Sequence, residues 1–175
     1  MDKSKRQKLS KEIHNTAVEK GFWDSKRNIE ELYMLIVTEL AEAVEAHRED
    51  KWAKIDEISK ISYEKQSIED FVFCFKEHVR GSVEEELADA WIRCMDYLYY
   101  RHRDYIVMSE FEIDWSDNFA ENIFTITKLF TDRRIKNGAY AIESLCEELN
   151  IDLEWFVKNK MKYNSTREKL HGKNY

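Results

Sequence analysis

Apolar residues return every three to four positions along most of this chain, the spacing of amphipathic helices. Residues 4–20 follow it and end at Gly21, a glycine placed as at a helix C-terminus; Phe22-Trp23-Asp24-Ser25 reads as a connector. Asn28, with Glu31 as capping-box partner, opens a helix predicted over 28–49, whose apolar face is Tyr33, Ile36, Val37, Leu40, Ala43 and Val44. Residues 50–66 are polar and mixed, with no clear element. Phe71, Val72, Phe75 and Val79 mark a helix over 67–80, ended by Gly81. Ser82, with Glu85 as reciprocal cap, starts a helix over 82–103 with Val83, Leu87, Ala90, Trp91, Cys94 and Leu98 on its core face. Further helices are predicted over 113–136, stopped by Asn137-Gly138, over 139–149, and over 151–163 with Asn150 as cap. The expectation is an all-α bundle of six to seven helices, a single domain over 1–175.

Composition supports this. The 175 residues include no proline and only four glycines, too few turn-formers for most strand-rich folds. Nine Phe, nine Tyr and five Trp supply a core, while 36% charged residues leave much helix surface solvated. Trp115, Phe119, Phe124, Phe130, Trp155 and Phe156 suit either that core or a subunit interface. A net charge of −7 argues against a general nucleic-acid binder. The end of the chain, 158–175, is nevertheless basic: Lys158, Lys160, Lys162, Arg167, Lys169 and Lys173 stand against Glu168 alone. Such a tail either binds an anion or solubilises the terminus. Cys74, Cys94 and Cys146 lie in apolar helical stretches without a C-x-x-C, so buried thiols in a reducing cytoplasm are expected. No apolar run approaches a membrane span, and the lysine-rich start lacks a signal peptide's apolar segment.

The candidate chemistry lies in two carboxylate pairs, Glu39-x-x-Glu42 and Glu86-x-x-Asp89. Residues at i and i+3 share a helix face, so two such helices packed together can converge four carboxylates. A hard cation such as Mg²⁺ takes oxygen ligands of this kind. The plain alternatives are a solvated acidic stripe, Glu31, Glu42, Glu45 and Glu49, and ordinary i,i+4 pairing of Asp89 with Arg93. Against the first, Leu32, Met34, Leu35, Ala41 and Ala46 flank the carboxylates and leave the helix apolar around most of its circumference; buried carboxylates need a partner or a metal. Glu85 is assigned to the cap. Arg93 and Asp96 extend the polar face behind the pair as supporting groups.

The blocks Gly21-Phe22-Trp23, Leu35-Ile36-Val37-Thr38-Glu39-Leu40-Ala41-Glu42-Ala43 and Glu84-Glu85-Glu86-Leu87-Ala88-Asp89-Ala90 with Ile92-Arg93-Cys94-Met95-Asp96 together resemble the all-α nucleoside triphosphate pyrophosphatases, the superfamily of MazG-like enzymes and dimeric dUTPases. The segment Lys160-Met161-Lys162-Tyr163-Asn164-Ser165-Thr166-Arg167, followed by His171-Gly172-Lys173-Asn174-Tyr175, is similar to the nucleotide-contacting end of phage-type MazG-like proteins. About half of the chain takes part; 50–81 and 105–150 do not. The resemblance implies that Glu39, Glu42, Glu86 and Asp89 hold Mg²⁺, with Mn²⁺ as a substitute. It also implies hydrolysis of a nucleoside triphosphate to monophosphate and pyrophosphate, by a homodimer or homotetramer.

Within that expectation, Glu39 or Glu42 accepts the proton of the attacking water, and Lys160, Lys162, Asn164, Arg167 and Lys173 contact substrate. Lys160, Asn164 and Arg167 share one face if the last helix continues that far; Asn164 is otherwise a helix terminator. Trp23 either stacks on a base or closes the first helix. The histidines, His14, His47, His78, His102 and His171, show no ligand spacing and read as surface or interface groups, His171 within the tail motif. The isolated glycines build no phosphate loop. The competing class is a non-catalytic helical module that binds a nucleotide or a partner and keeps a regulatory metal site.

Overall fold

The computed structural model describes residues 1–54, 67–103 and 106–172. Seven α-helices and no strand occur among the described residues: α1 (Lys3–Glu19), α2 (Ile29–Arg48), α3 (Ile68–His78), α4 (Val83–His102), α5 (Phe119–Thr131), α6 (Ile135–Glu148) and α7 (Leu153–Ser165), followed by a short turn at Lys169–Gly172. The organising element is α4, which packs against α1, α2, α6 and α7. Its predicted core face is fully buried, with Val83, Leu87, Ala90, Trp91, Cys94 and Leu98 all out of solvent. Each large apolar side chain buried in this way contributes about 1.5–3 kcal/mol. Ile36, Leu40 and Ala43 of α2 and Ile142 and Leu145 of α6 complete the packing around it. No helix among the described residues is long and apolar enough to cross a membrane.

Several local predictions are corrected. Asn28 does cap α2, accepting from the Glu30 amide at 2.9 Å, but the Glu31 carboxylate pairs with Arg27 at 2.6 Å instead of closing a capping box. The helix is also less buried around its girth than its apolar residues imply, because Met34 and Ala41 are exposed. Residues 113–118 are not helical. Asn122 bonds the Ser116 backbone in both directions, at 2.9 and 2.8 Å, and Asn118 caps α5. These side-chain bonds offer the backbone an alternative to helix.

The break between α5 and α6 falls at Arg133 (φ 59°), not at Asn137-Gly138, which lie inside α6. Gly138 is there for proximity: a Cβ would stand 2.4 Å from the Phe130 ring. Asn150 likewise does not cap α7. It takes a left-handed conformation (φ 56°) after α6, while Asp152 caps α7 through the Trp155 amide at 3.0 Å. Of the aromatics singled out above, Phe119, Phe130 and Phe156 are buried in the core and Phe124 is exposed. Cys94 and Cys146 are buried as expected, their thiols pushed up by burial, whereas Cys74 is only half-buried.

Candidate metal and nucleotide site

The α2–α4 pairing decides the site. Packing Ile36, Leu40 and Ala43 toward α4 places Glu39 in the interface and Glu42 at its edge. From α4, Glu86 faces the same space. One carboxylate oxygen from each of Glu39, Glu42 and Glu86 lies within 4.8 Å of the others. Glu39 and Glu86 are buried and Glu42 is exposed. Asp89 stands beside this triad but is held by the Lys160 ammonium at 2.6 Å.

All four carboxylates line a 650 Å³ cavity shared with Lys160, Asn164 and Arg167 of the chain's end, so the two regions marked in the sequence meet in space. Lys162 does not line it: its ammonium lies 4.1 Å from the centre of the Phe71 ring. Lys173 falls outside the described residues. Asn164 does not end α7, which continues to Ser165, and its side-chain Oδ1 is buried without a hydrogen-bond partner among the described residues. The Arg167 Nη2 donates to the His171 carbonyl at 3.1 Å, which folds the end of the chain over the cavity.

The electrostatics are strongly frustrated. Burial, then Glu85 and Asp89, pushes the Glu86 carboxyl up to about 9. Burial and Asp89 also raise Glu39, against the pull of Arg93. Arg93 donates its Nε to Glu39 at 2.5 Å, so the expected i,i+4 partner Asp89 is replaced by a cross-helix one. Burial opposes the charge on Arg93, but Glu39 and Asp89 more than compensate and raise it. Glu86 receives no side-chain hydrogen bond among the described residues; its nearest charges are mostly of its own sign.

Asp96 extends the cavity wall beyond Asp89 and is held by groups the sequence did not connect to it. It lines the cavity, yet its Oδ1 meets His14 Nδ1 at 2.6 Å and both of its oxygens accept from the Trp23 indole at 3.0 and 3.1 Å. Trp23 stacks on Tyr100 at 4.2 Å and closes the first helix; it does not line the cavity. His14 is thus a buried, paired residue and not a surface one. His171 is also drawn in: burial and then Arg167 push it down to about 4, leaving it neutral near pH 7.

Sequence reasoning missed three contributors. Glu85 does serve the cap, accepting from the Gly81 amide at 2.5 Å, but its other oxygen pairs with Lys160 inside the cavity. Its i,i+4 relation to Asp89 was the available signal. Arg27 lines the cavity with its Nε buried and unpartnered, and nothing in its neighbourhood along the chain marked it. Lys20 holds the chain's end, donating to the Ser165 carbonyl at 2.8 Å, a contact across 145 positions that no local pattern reveals.

No protein-family model, curated protein or solved structure matches this chain.

Proposed function

We propose that this protein is a Mg²⁺-dependent nucleoside triphosphate pyrophosphohydrolase, converting a (d)NTP and water to the (d)NMP and pyrophosphate. The observation that carries this reading is one cavity that joins three converging carboxylates to a basic, polar wall of Lys160, Asn164 and Arg167. The donor set suits the ion: carboxylate oxygens alone, with no sulfur or imidazole among them. The raised Glu86 supports the same point, because the protein brings like charges together there without supplying enough positive charge of its own. Glu39, Glu42 and Glu86 would hold Mg²⁺, with Asp89 adjacent. When bound, it would neutralise phosphate oxygens and lower the barrier to charge building up on the leaving pyrophosphate.

The chain's own groups divide the remaining tasks. Glu42 is the general base in this account: Glu39 is engaged by Arg93, whereas Glu42 has no partner among the described residues. It takes the proton as the water oxygen bonds to the α-phosphorus. The bond from that phosphorus to the α–β bridging oxygen breaks, and its electron pair leaves on pyrophosphate. Arg167 offers a planar fork to paired phosphate oxygens. The Asn164 side-chain Oδ1 and the Arg27 Nε, each without a hydrogen-bond partner among the described residues, would meet polar atoms of the nucleoside.

The test is a panel of NTPs and dNTPs, with dUTP and oxidised or methylated bases, incubated with Mg²⁺ and resolved by chromatography. Monophosphate with pyrophosphate, and no diphosphate, is the expected result. Absence of turnover across the panel with Mg²⁺ and with Mn²⁺ contradicts it.

A further inference from the structure

Apart from Asp96, which His14 and Trp23 hold, the carboxylates of the cavity fall into two groups. Glu39, Glu42 and Glu86 converge on one another, and none of them pairs with a lysine among the described residues. Glu85 and Asp89, one turn apart on α4, instead share the Lys160 ammonium, which contacts the Glu85 Oε1 and lies 2.6 Å from the Asp89 Oδ2. Lys160 is 8% exposed at its side chain and Glu85 is 2% exposed, so this is an ion triplet inside the protein and not a surface pair.

We propose that the Lys160 ammonium occupies the seat a second divalent cation would take, so that the site binds a single divalent ion per chain. This inference rests on the metal-site reading above. Three features carry it. The ammonium is a compact point charge, able to sit between two carboxylates much as a small ion does. It is tethered: α7 packs on α4, and Tyr163 further along it stacks on Phe75 of α3, which keeps its effective concentration at Asp89 and Glu85 high whatever the concentration of free metal. Moving it aside would strand a buried ammonium away from its partners, an arrangement proteins do not tolerate cheaply. Asp89 is therefore a structural anchor for Lys160, and the divalent ion belongs to the Glu39, Glu42 and Glu86 triad. The same contact ties the basic end of the chain to the acidic site: Asn164 lies one turn further along α7, and Arg167, which falls past the helix end and so does not share its face, lines the same cavity.

Titrating Mn²⁺ into the full chain and counting bound ions by electron paramagnetic resonance tests this without reference to turnover. One ion per chain is expected for the native protein and for Lys160→Arg, which keeps the charge. Lys160→Met, checked for its helical circular dichroism signal, should bind two, a doubling. Two ions on the native chain would overturn the proposal while leaving the metal-site reading intact, as would a Lys160→Met variant that folds and still binds one. No Mn²⁺ on the native chain would remove the metal site and the proposal together. If Lys160→Met does not fold, Lys160→Gln serves in its place: two ions are expected, and one would overturn the proposal.

Discussion

Two buried carboxylates on neighbouring sides of α4 show how differently one protein treats the same charge. Glu143 of α6 is 4% exposed, and its oxygens accept from Arg6 Nε at 2.9 Å, Arg6 Nη2 at 2.8 Å and the Trp91 indole at 3.0 Å, with the Met1 amine at 3.5 Å. Its charge is matched by donors supplied entirely from within the fold. Glu86 is also buried but lines the cavity under the like charges of Glu85, Asp89 and Glu39, and receives no side-chain hydrogen bond among the described residues. A carboxylate that the protein satisfies belongs to its architecture. One brought into a crowd of like charges and left short of donors is, in the function proposed here, what a cation from outside would satisfy.

Breaking the satisfied member should produce the largest effect on stability. Glu143→Ala leaves the Arg6 guanidinium buried without its partner, a loss of about 3–5 kcal/mol. Denaturant unfolding monitored by circular dichroism checks it; a change below 1 kcal/mol on the same scale would mean the cluster is decorative.

Breaking the frustrated member should do the reverse. Glu86→Gln should reduce turnover by about 10²–10³-fold, the scale of losing one major electrostatic contributor, while the metal-free fold is as stable as the native one or more so. Steady-state kinetics beside thermal unfolding separate the two; equal losses of stability and rate would erase the distinction between the clusters.

A smaller effect is expected at the cavity's basic wall. Arg167→Ala should raise KM or lower kcat about tenfold, the loss of a charged contact near 1.4 kcal/mol. Unchanged kinetics would make the end of the chain a solubilising segment only.

The last comparison is one of pH. The folded Glu86 carboxyl titrates near 9 against an ordinary 4.5, so the unfolded chain gives up this proton first. The contribution of Glu86 to the metal-free fold is fully present below the ordinary value and is lost as pH rises through about 9. Stabilisation by Mg²⁺ should grow over the same window, and melting curves at pH 6 and 9 with and without Mg²⁺ should show it. His171 acts in the opposite direction: depressed to about 4 from 6.5, it contributes stability above 6.5 that is lost as pH falls through 4. An Mg²⁺ effect independent of pH would contradict the assignment of Glu86.

The helices were legible because their signals are local. Ser82, Asn28 and the apolar spacing of α4 each act within a few residues, and the structure places caps and core where they indicate. The errors fell where a tertiary contact overrides the local sign. Gly138 looks like a stop, yet it sits mid-helix because the Phe130 ring needs the space of a Cβ. Asn150 looks like a cap, yet its tolerance of positive φ is what the chain uses. At the site, the E-x-x-E and E-x-x-D spacings identify four carboxylates on one cavity wall, but spacing carries no information on pairing. That Arg93 would take Glu39, Lys160 would take Asp89, and His14 with Trp23 would take Asp96 depends on contacts between helices distant in sequence.

The most direct test of the central claim, that Glu39, Glu42 and Glu86 form a cation site which the protein leaves under-neutralised, is calorimetric titration of the metal-free protein with Mg²⁺ at pH 7 in two buffers of different ionisation enthalpy. The account predicts binding accompanied by release of about one proton per ion, from Glu86, and loss of that release in Glu86→Gln. Binding with no proton release, or no binding, would contradict it.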